Sequence, residues 1–251
     1  MSINTDSKKL EVRIDTHKQL STYEINDWIL SCVQPHKNEK LLDIGCGTGK
    51  QIKSFSNHCG TFPKIIAIDA SADSLKTVEK ICLDKKIQNL KTVRGNMDEL
   101  PDLLGLRNKF DLIISCFALY YSQNIPKIIT TIKQLLENQG RFFVCGPVPG
   151  NNAELIEFHS QISKSQTNSD DFPMISSILP EIKKKFSKIE QYNFSNPLHF
   201  PNPNSLIDYW KSYHLYDPSL EDKFIINTKN YFEKHAEFIS TKKVLGIIAR
   251  M

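Results

Sequence analysis

Residues 41–50 read Leu-Leu-Asp-Ile-Gly-Cys-Gly-Thr-Gly-Lys, and no other stretch of the 251-residue chain constrains the fold as tightly. A short apolar run ends in an acid and opens onto three glycines at every second position. That order describes a buried parallel strand, a turn nearly bare of side chains, and a helix starting near Thr48. Glycine permits positive φ, and it lets a ligand approach a backbone that carries no Cβ.

The spacing also discriminates between ligands. In doubly wound α/β sheets, nucleotide-like ligands sit at such strand ends. A dinucleotide turn is spaced Gly-x-Gly-x-x-Gly, so that a helix N-terminus faces the pyrophosphate. Here Gly45, Gly47 and Gly49 alternate, and Lys50 stands where that pattern needs its third glycine. Asp43 precedes the first glycine, where it would repel a diphosphate and suit a cationic amino acid. An ordinary strand-to-helix turn of small residues is the competing explanation.

Composition narrows the class. With 40% hydrophobic residues the chain suits one α/β domain with additions. A net charge of +4 with 24% charged residues leaves no strong footprint for nucleic acid or an anionic membrane. The six cysteines (Cys32, Cys46, Cys59, Cys82, Cys116 and Cys145) form no C-x-x-C pair. Most lie in or beside apolar runs, as small buried hydrophobes do, which fits a reducing compartment. The first ten residues are polar, and no run approaches the ~20 apolar residues of a membrane span. A cytoplasmic protein is expected.

Periodicity places the elements. Residues 21–24, Ser-Thr-Tyr-Glu, have the form of a capping box before a helix carrying Ile25, Trp28, Ile29, Cys32 and Val33. Strands are predicted at 40–44, 64–68, 90–94, 110–115 and 141–145. Helices between them bury Ile52 and Phe55, then Leu75, Val78 and Cys82, then Ile128, Ile129, Ile132, Leu135 and Leu136. Pro126 starts the last of these and Gly140 follows it. Strand alternating with helix predicts a parallel sheet with helices on both faces. Beyond residue 150 the rhythm changes. Helices are expected at 153–164, 180–187, 206–213 and 218–238, strands at 189–194 and 243–249, with a polar loop at 165–172 and a Pro- and Asn-rich break at 196–204.

From Lys40 to Gly146 the chain resembles the class I S-adenosylmethionine-dependent methyltransferases, closest to the small-molecule type. The Asp-x-Gly-x-Gly-x-Gly stretch matches their first motif, Gly95-Asn-Met-Asp-Glu-Leu-Pro101 their adenine loop, and Phe110-Asp-Leu-Ile-Ile-Ser-Cys-Phe-Ala-Leu-Tyr-Tyr121 their fourth motif. The resemblance implies a Rossmann-like α/β fold, with a seven-stranded, mostly parallel sheet of order 3-2-1-4-5-7-6 and a helical cap. The polar residues 1–15 are expected as a flexible arm, and the resemblance implies a methyltransferase domain at 16–251. Within that domain it implies a cofactor-binding core at 40–146, with cap or substrate elements at 16–35, 147–180 and 197–238.

S-adenosylmethionine is the implied cofactor, without a metal. Asp43, Gly45, Cys46, Gly47 and Gly49 would surround its methionine end, and Asp69 its ribose. Ala70, Asn96 and Met97 would lie at the adenine, and Cys116 and Phe117 beside the methyl group. Tyr23 could cover cofactor or substrate. The chain departs from the family's usual residues at Asn96, where an acid is common, and at Tyr120-Tyr121, where two histidines are common. In Leu136-Glu-Asn-Gln-Gly-Arg141 a proline and one glycine of the usual turn are missing.

A sulfonium methyl is already activated, so displacement needs mainly alignment and exclusion of water. A general base is needed only where the acceptor holds its proton tightly. The candidates are Tyr121 and His199, with His159 and His214 more expected on ordinary helix surfaces or in the core. Cys116 lacks the preceding proline of cytosine-5 enzymes, and Lys183-Lys184-Lys185 reads as a solvated helix face. Phe194, Phe200, Tyr209, Trp210, Tyr213 and Tyr216 could line an acceptor pocket or simply pack. The expected reaction is methyl transfer to oxygen or nitrogen of a small molecule, without membrane or nucleic acid. Methylation of tRNA or protein, a non-catalytic cofactor-binding protein, and a nicotinamide-dependent dehydrogenase remain as alternatives.

Overall fold

The computed structural model describes residues 7–163 and 172–251. The polar loop expected at 165–172 lies, except for Phe172, outside the described residues. In chain order the elements are α1 (Ser7–Leu20), α2 (Ile25–Val33), β1 (Lys40–Ile44), α3 (Lys50–Cys59), β2 (Lys64–Asp69), α4 (Ala72–Asp84) and β3 (Leu90–Arg94). There follow α5 (Leu100–Leu104), β4 (Phe110–Cys116), α6 (Ile125–Leu135), β5 (Leu136–Pro147), α7 (Ala153–Ser160) and α8 (Leu179–Lys185). The chain closes with β6 (Lys188–Phe200), α9 (Pro203–Ser212), α10 (Glu221–Phe232) and β7 (Phe238–Arg250).

The seven strands form one sheet of order β3-β2-β1-β4-β5-β7-β6, as the motifs implied. β1 pairs in parallel with β2 and β4, while β7 runs antiparallel to β5. The central strands are buried along almost their whole length, which is why they read as unbroken apolar runs.

By contact the chain divides into two compact units. The second comprises residues 25–148, 172–193 and 244–251, and contains most of the sheet. Phe142 and Phe143 are neighbours on β5 and point to opposite faces. Phe142 joins Ile128, Ile129, Ile132 and Leu135 of α6 in one core. Phe143 instead meets the Trp28 ring of α2 at 6.5 Å. Helices therefore cover both faces, and each fully buried aliphatic side chain contributes roughly 1.5–3 kcal/mol.

Strand β5 starts at Leu136, five residues before the expected start at Arg141. The missing proline and glycine explain this, because nothing there forces a turn. A Cβ on Gly140 would lie 2.9 Å from the Phe110 carbonyl oxygen, so glycine is required by that close strand. Arg141 then ties β5 to the end of α2, pairing with Glu39 and donating to the carbonyls of Val33 and Gln34.

The first unit comprises residues 1–24, 149–171 and 194–243. Here the arm expected over residues 1–15 carries helix from Ser7 onward. Strand β6 runs on through Asn196 and Pro197, where a break was expected. The segment before α2 explains it. The buried Asn196 side chain accepts from Tyr23 N–H at 3.0 Å and donates to the Tyr23 carbonyl at 2.7 Å. Thr22 N–H donates to the Pro197 carbonyl, and Ser21 bridges to Leu198. Proline survives because it needs no donor at a strand edge.

The same pairing corrects the capping-box reading: Ser21 donates its hydroxyl to the Tyr23 carbonyl, four residues ahead of α2. Of the aromatic set of the C-terminal half, Phe200, Tyr209, Trp210 and Tyr213 lie in this unit's core, with Tyr216 packed against it. Trp210 stacks on Phe224 at 4.1 Å and 5°, and Tyr209 and Phe200 are fully buried. Among the described residues no helix is long and apolar enough to cross a membrane. All six cysteines are free.

Candidate cofactor site

The turn after β1 is built from three left-handed glycines that serve three different purposes. Gly45 has φ +71°, and a Cβ there would lie 2.3 Å from the Ala118 Cβ. It is bare so that the loop after β4 can close on it. Gly49, φ +76°, is the N-cap of α3, with Val78 3.1 Å from where its Cβ would be. Gly47, φ +51°, would point a Cβ into open space with nothing within 4 Å. Packing does not require a glycine there, and the backbone is left bare towards solvent.

Two acids flank this turn on adjacent strands. Asp69, at the end of β2, accepts from Gly47 N–H and from Ser71 N–H, each at 2.8 Å. It thereby holds the glycine turn and the start of α4 together. Asp43, in β1, is only 1% exposed, and its Oδ2 is buried with no hydrogen-bond partner among the described residues. Burial, and then the nearby Asp69 carboxylate, raise the Asp43 acid to about 8. A buried acid with an unused oxygen beside bare backbone suits an incoming cation, because an ammonium would satisfy the oxygen and restore the charged form. The residues present therefore fit the amino-acid end of S-adenosylmethionine.

The remaining loops of the second unit are held by local bonds. Asn96 is exposed and caps a short 3-10 turn, its Oδ1 accepting from Asp98 N–H at 3.1 Å. Ala70 is exposed beside Asp69, and Met97 packs on the core with its methyl near Gly45. Asp98, which the motif comparison passed over, accepts from the Ser122 hydroxyl and from Gln123 N–H at 2.8 Å. It ties the loop after β3 to the loop after β4. An acid two residues beyond Asn96 was the only available signal.

Strand β4 ends on a strained residue. Phe117 takes φ +57°, a conformation that a bulky side chain rarely adopts, and its N–H donates to the Cys145 carbonyl. Ser115, fully buried, donates its hydroxyl to the Ile44 carbonyl at 2.9 Å and locks β4 against β1. Hydrogen bonding with the Cys145 thiol, then burial, push the Cys116 thiol up, and burial pushes up Cys46. Neither thiol is poised as a nucleophile. Tyr120 turns inward against the core, while Tyr121 is 41% exposed with its ring 4.6 Å from that of Tyr120.

The other candidates lie in the first unit. Tyr23 is 59% exposed, and the half-buried His199 pairs through Nδ1 with Glu237 at 3.0 Å. His159 is a core residue: its Nδ1 accepts from the Trp210 indole at 3.2 Å, and burial lowers its imidazole. His214 lies against Tyr213.

Comparison with known proteins agrees with this geometry. A methyltransferase-domain family profile matches residues 35–198. Demethylmenaquinone methyltransferase of Oceanobacillus iheyensis is 32% identical over 97 residues, 39% of this chain and 38% of that protein. Ubiquinone biosynthesis O-methyltransferase of Pelagibacter ubique is 28% identical over 122 residues, 46% and 45% of the two chains. The chain spans about half the length of the curated relatives it matches. The crystal structure of YcgJ from Bacillus subtilis shares the fold with a TM-score of 0.60 at 17% identity, covering 90% of this chain and 98% of that one. With its family profile matched over more than half its length and the strand order of the class I fold, the chain belongs to the methyltransferase-domain family.

Proposed function

We propose that the chain moves a methyl group from S-adenosylmethionine to oxygen or nitrogen of a small-molecule acceptor by direct displacement. The observation that carries this reading is Asp43, whose buried Oδ2 lacks a partner among the described residues in the strand that leads into the open Gly47 turn. When bound, the cofactor supplies a methyl group already activated on a sulfonium sulfur.

The chain's residues do the rest. Asp43 would hold the ammonium, with Gly45, Cys46, Gly47 and Gly49 lining the methionine end. Asp69 would accept the ribose hydroxyls through lone pairs that its two backbone donors leave free. Ala70, Asn96 and Met97 would bound the adenine. Cys116 and Phe117 would flank the methyl end, where alignment and exclusion of water dominate. Tyr121 is the proposed proton acceptor for an acceptor group that holds its proton tightly. The small-molecule reading draws support from the two relatives above, whose names give quinone-type compounds. The modest net charge of +4 favours it over a nucleic acid acceptor.

Calorimetric titration with S-adenosylmethionine, followed by a labelled-methyl screen of small molecules, tRNA and protein, tests the reading. Binding with label on a small molecule is expected. Binding without transfer to any acceptor would make the chain a non-catalytic binder, and absence of binding would overturn the proposal.

A further inference from the structure

In the first unit, Lys242 and His214 converge on one tyrosine, and among the described residues neither has an acid for a partner. Lys242, on β7, holds its Nζ 6.0 Å from the centre of the Tyr213 ring. The His214 ring lies 4.3 Å from that same ring. Tyr213 stacks on Tyr209, 5.9 Å away at 22°, and Tyr209 also meets the edge of His17 from α1 at 5.8 Å. Arg13 lies one helical turn before His17, on the helix that packs along α9. Its Nε is buried with no hydrogen-bond partner among the described residues.

Among the described residues the charges that act on this cluster have one sign. Burial and then Arg13 hold the Lys242 ammonium down to about 8. Burial, Arg13, Lys242 and His159 all lower the His214 imidazole. Among the described residues no carboxylate acts on either group, and neither Arg13 nor Lys242 forms an ion pair. Elsewhere in the same unit, Lys211 on α9 pairs with Glu221 at 2.5 Å, so acids are within reach where the fold uses them.

Like charges crowded together, with a buried donor left unmade, oppose the folded arrangement unless an anion joins them. The donor types suit an oxyanion: a planar guanidinium, a compact ammonium and an imidazole. His214 reaches the surface with its ring partly covered, and Arg13 and Lys242 are half-buried, so a group can reach them from solvent.

We propose that Arg13, Lys242 and His214 form an oxyanion-binding site that takes the carboxylate or phosphate group of a small molecule. Every residue in it belongs to the first unit.

The test titrates the full chain with sodium phosphate and, separately, with malonate, at ionic strength held constant with sodium chloride. Saturable binding of at least one, with a Kd at or below roughly 1 mM, is expected. Phosphate alone or malonate alone would assign the group. Arg13→Gln and Lys242→Met should each weaken that binding about tenfold or more, as loss of a charge-assisted hydrogen bond requires. Lys242→Met removes an unpaired cation, so without anion it should melt no lower than the wild type. The added anion should raise the melting temperature of the wild type and not of this variant. His214→Gln, at an exposed position, gives a second readout should either variant fail to fold. No saturation by either anion, or equal affinity in wild type and folded variants, would overturn the site.

Discussion

Asp43 and Asp69 occupy neighbouring parallel strands, yet only one of the two carboxylates is satisfied by the protein. Asp69 accepts two backbone N–H groups at 2.8 Å, while the Oδ2 of Asp43 is buried without a partner among the described residues. The asymmetry gives the two acids different tasks. Asp69 shapes the turn and keeps lone pairs to spare, whereas Asp43 is an unmet demand for positive charge.

Replacement of Asp43 by Asn keeps the shape and removes the charge. Cofactor binding should weaken by roughly 1.5–3 kcal/mol, the worth of a hydrogen bond to a charged group. Calorimetry on the variant measures it, and unchanged affinity would remove the ammonium role from Asp43.

The raised acid also sets a pH dependence. Its folded value of about 8 lies above the ordinary 3.8, so between those values the folded chain keeps a proton that the unfolded chain has lost. Stability from this group is therefore fully present at low pH and falls as pH rises towards 8, by at most roughly 1.4 kcal/mol per pH unit. Urea unfolding at intervals between about pH 5 and about pH 8 should show a decline that Asp43→Asn flattens. Parallel pH profiles for the two proteins would contradict it.

Replacement of Asp69 by Ala should cost twice. The ribose contact is lost, again roughly 1.5–3 kcal/mol of cofactor affinity, and Gly47 N–H loses its acceptor. Calorimetry reads the first effect and thermal melting the second. Affinity equal to the wild type would refute the ribose role.

The glycines separate packing from ligand approach. Gly45→Ala should destabilise the fold, because its Cβ would collide with Ala118 at 2.3 Å; pairing it with Ala118→Gly should recover the steric part of the loss. A Cβ at Gly47 meets no atom of the described residues within 4 Å, so beyond backbone strain of about 1–3 kcal/mol the effect of Gly47→Val should fall on cofactor binding. A Gly47→Val chain that binds cofactor as the wild type does would mean that this glycine serves the turn alone.

Much of this was legible in the sequence, for reasons visible in individual residues. The runs Leu41–Ile44 and Ile65–Ile68 are buried on both faces, so their composition alone marks central strands. The alternation of Gly45, Gly47 and Gly49 marks the turn, since each takes a positive φ. Less legible were features that depend on distant partners. Nothing near Asn196-Pro197 shows that residues 21–23 will pair with it and extend β6. The roles of Asp98 and Ala118 exist only once the loops after β3 and β4 meet. His159, expected on a helix surface or in the core, is assigned to the core only by the Trp210 indole that donates to it.

The central claim is that the bare turn between β1 and α3 receives the methionine end of a sulfonium nucleoside. A crystal structure of the chain with S-adenosylhomocysteine tests it most directly. The account predicts the ligand's amino group against Asp43 Oδ2, its backbone along Gly47, and its ribose hydroxyls on Asp69. A ligand bound elsewhere, or a turn filled by the chain's own side chains, would contradict it.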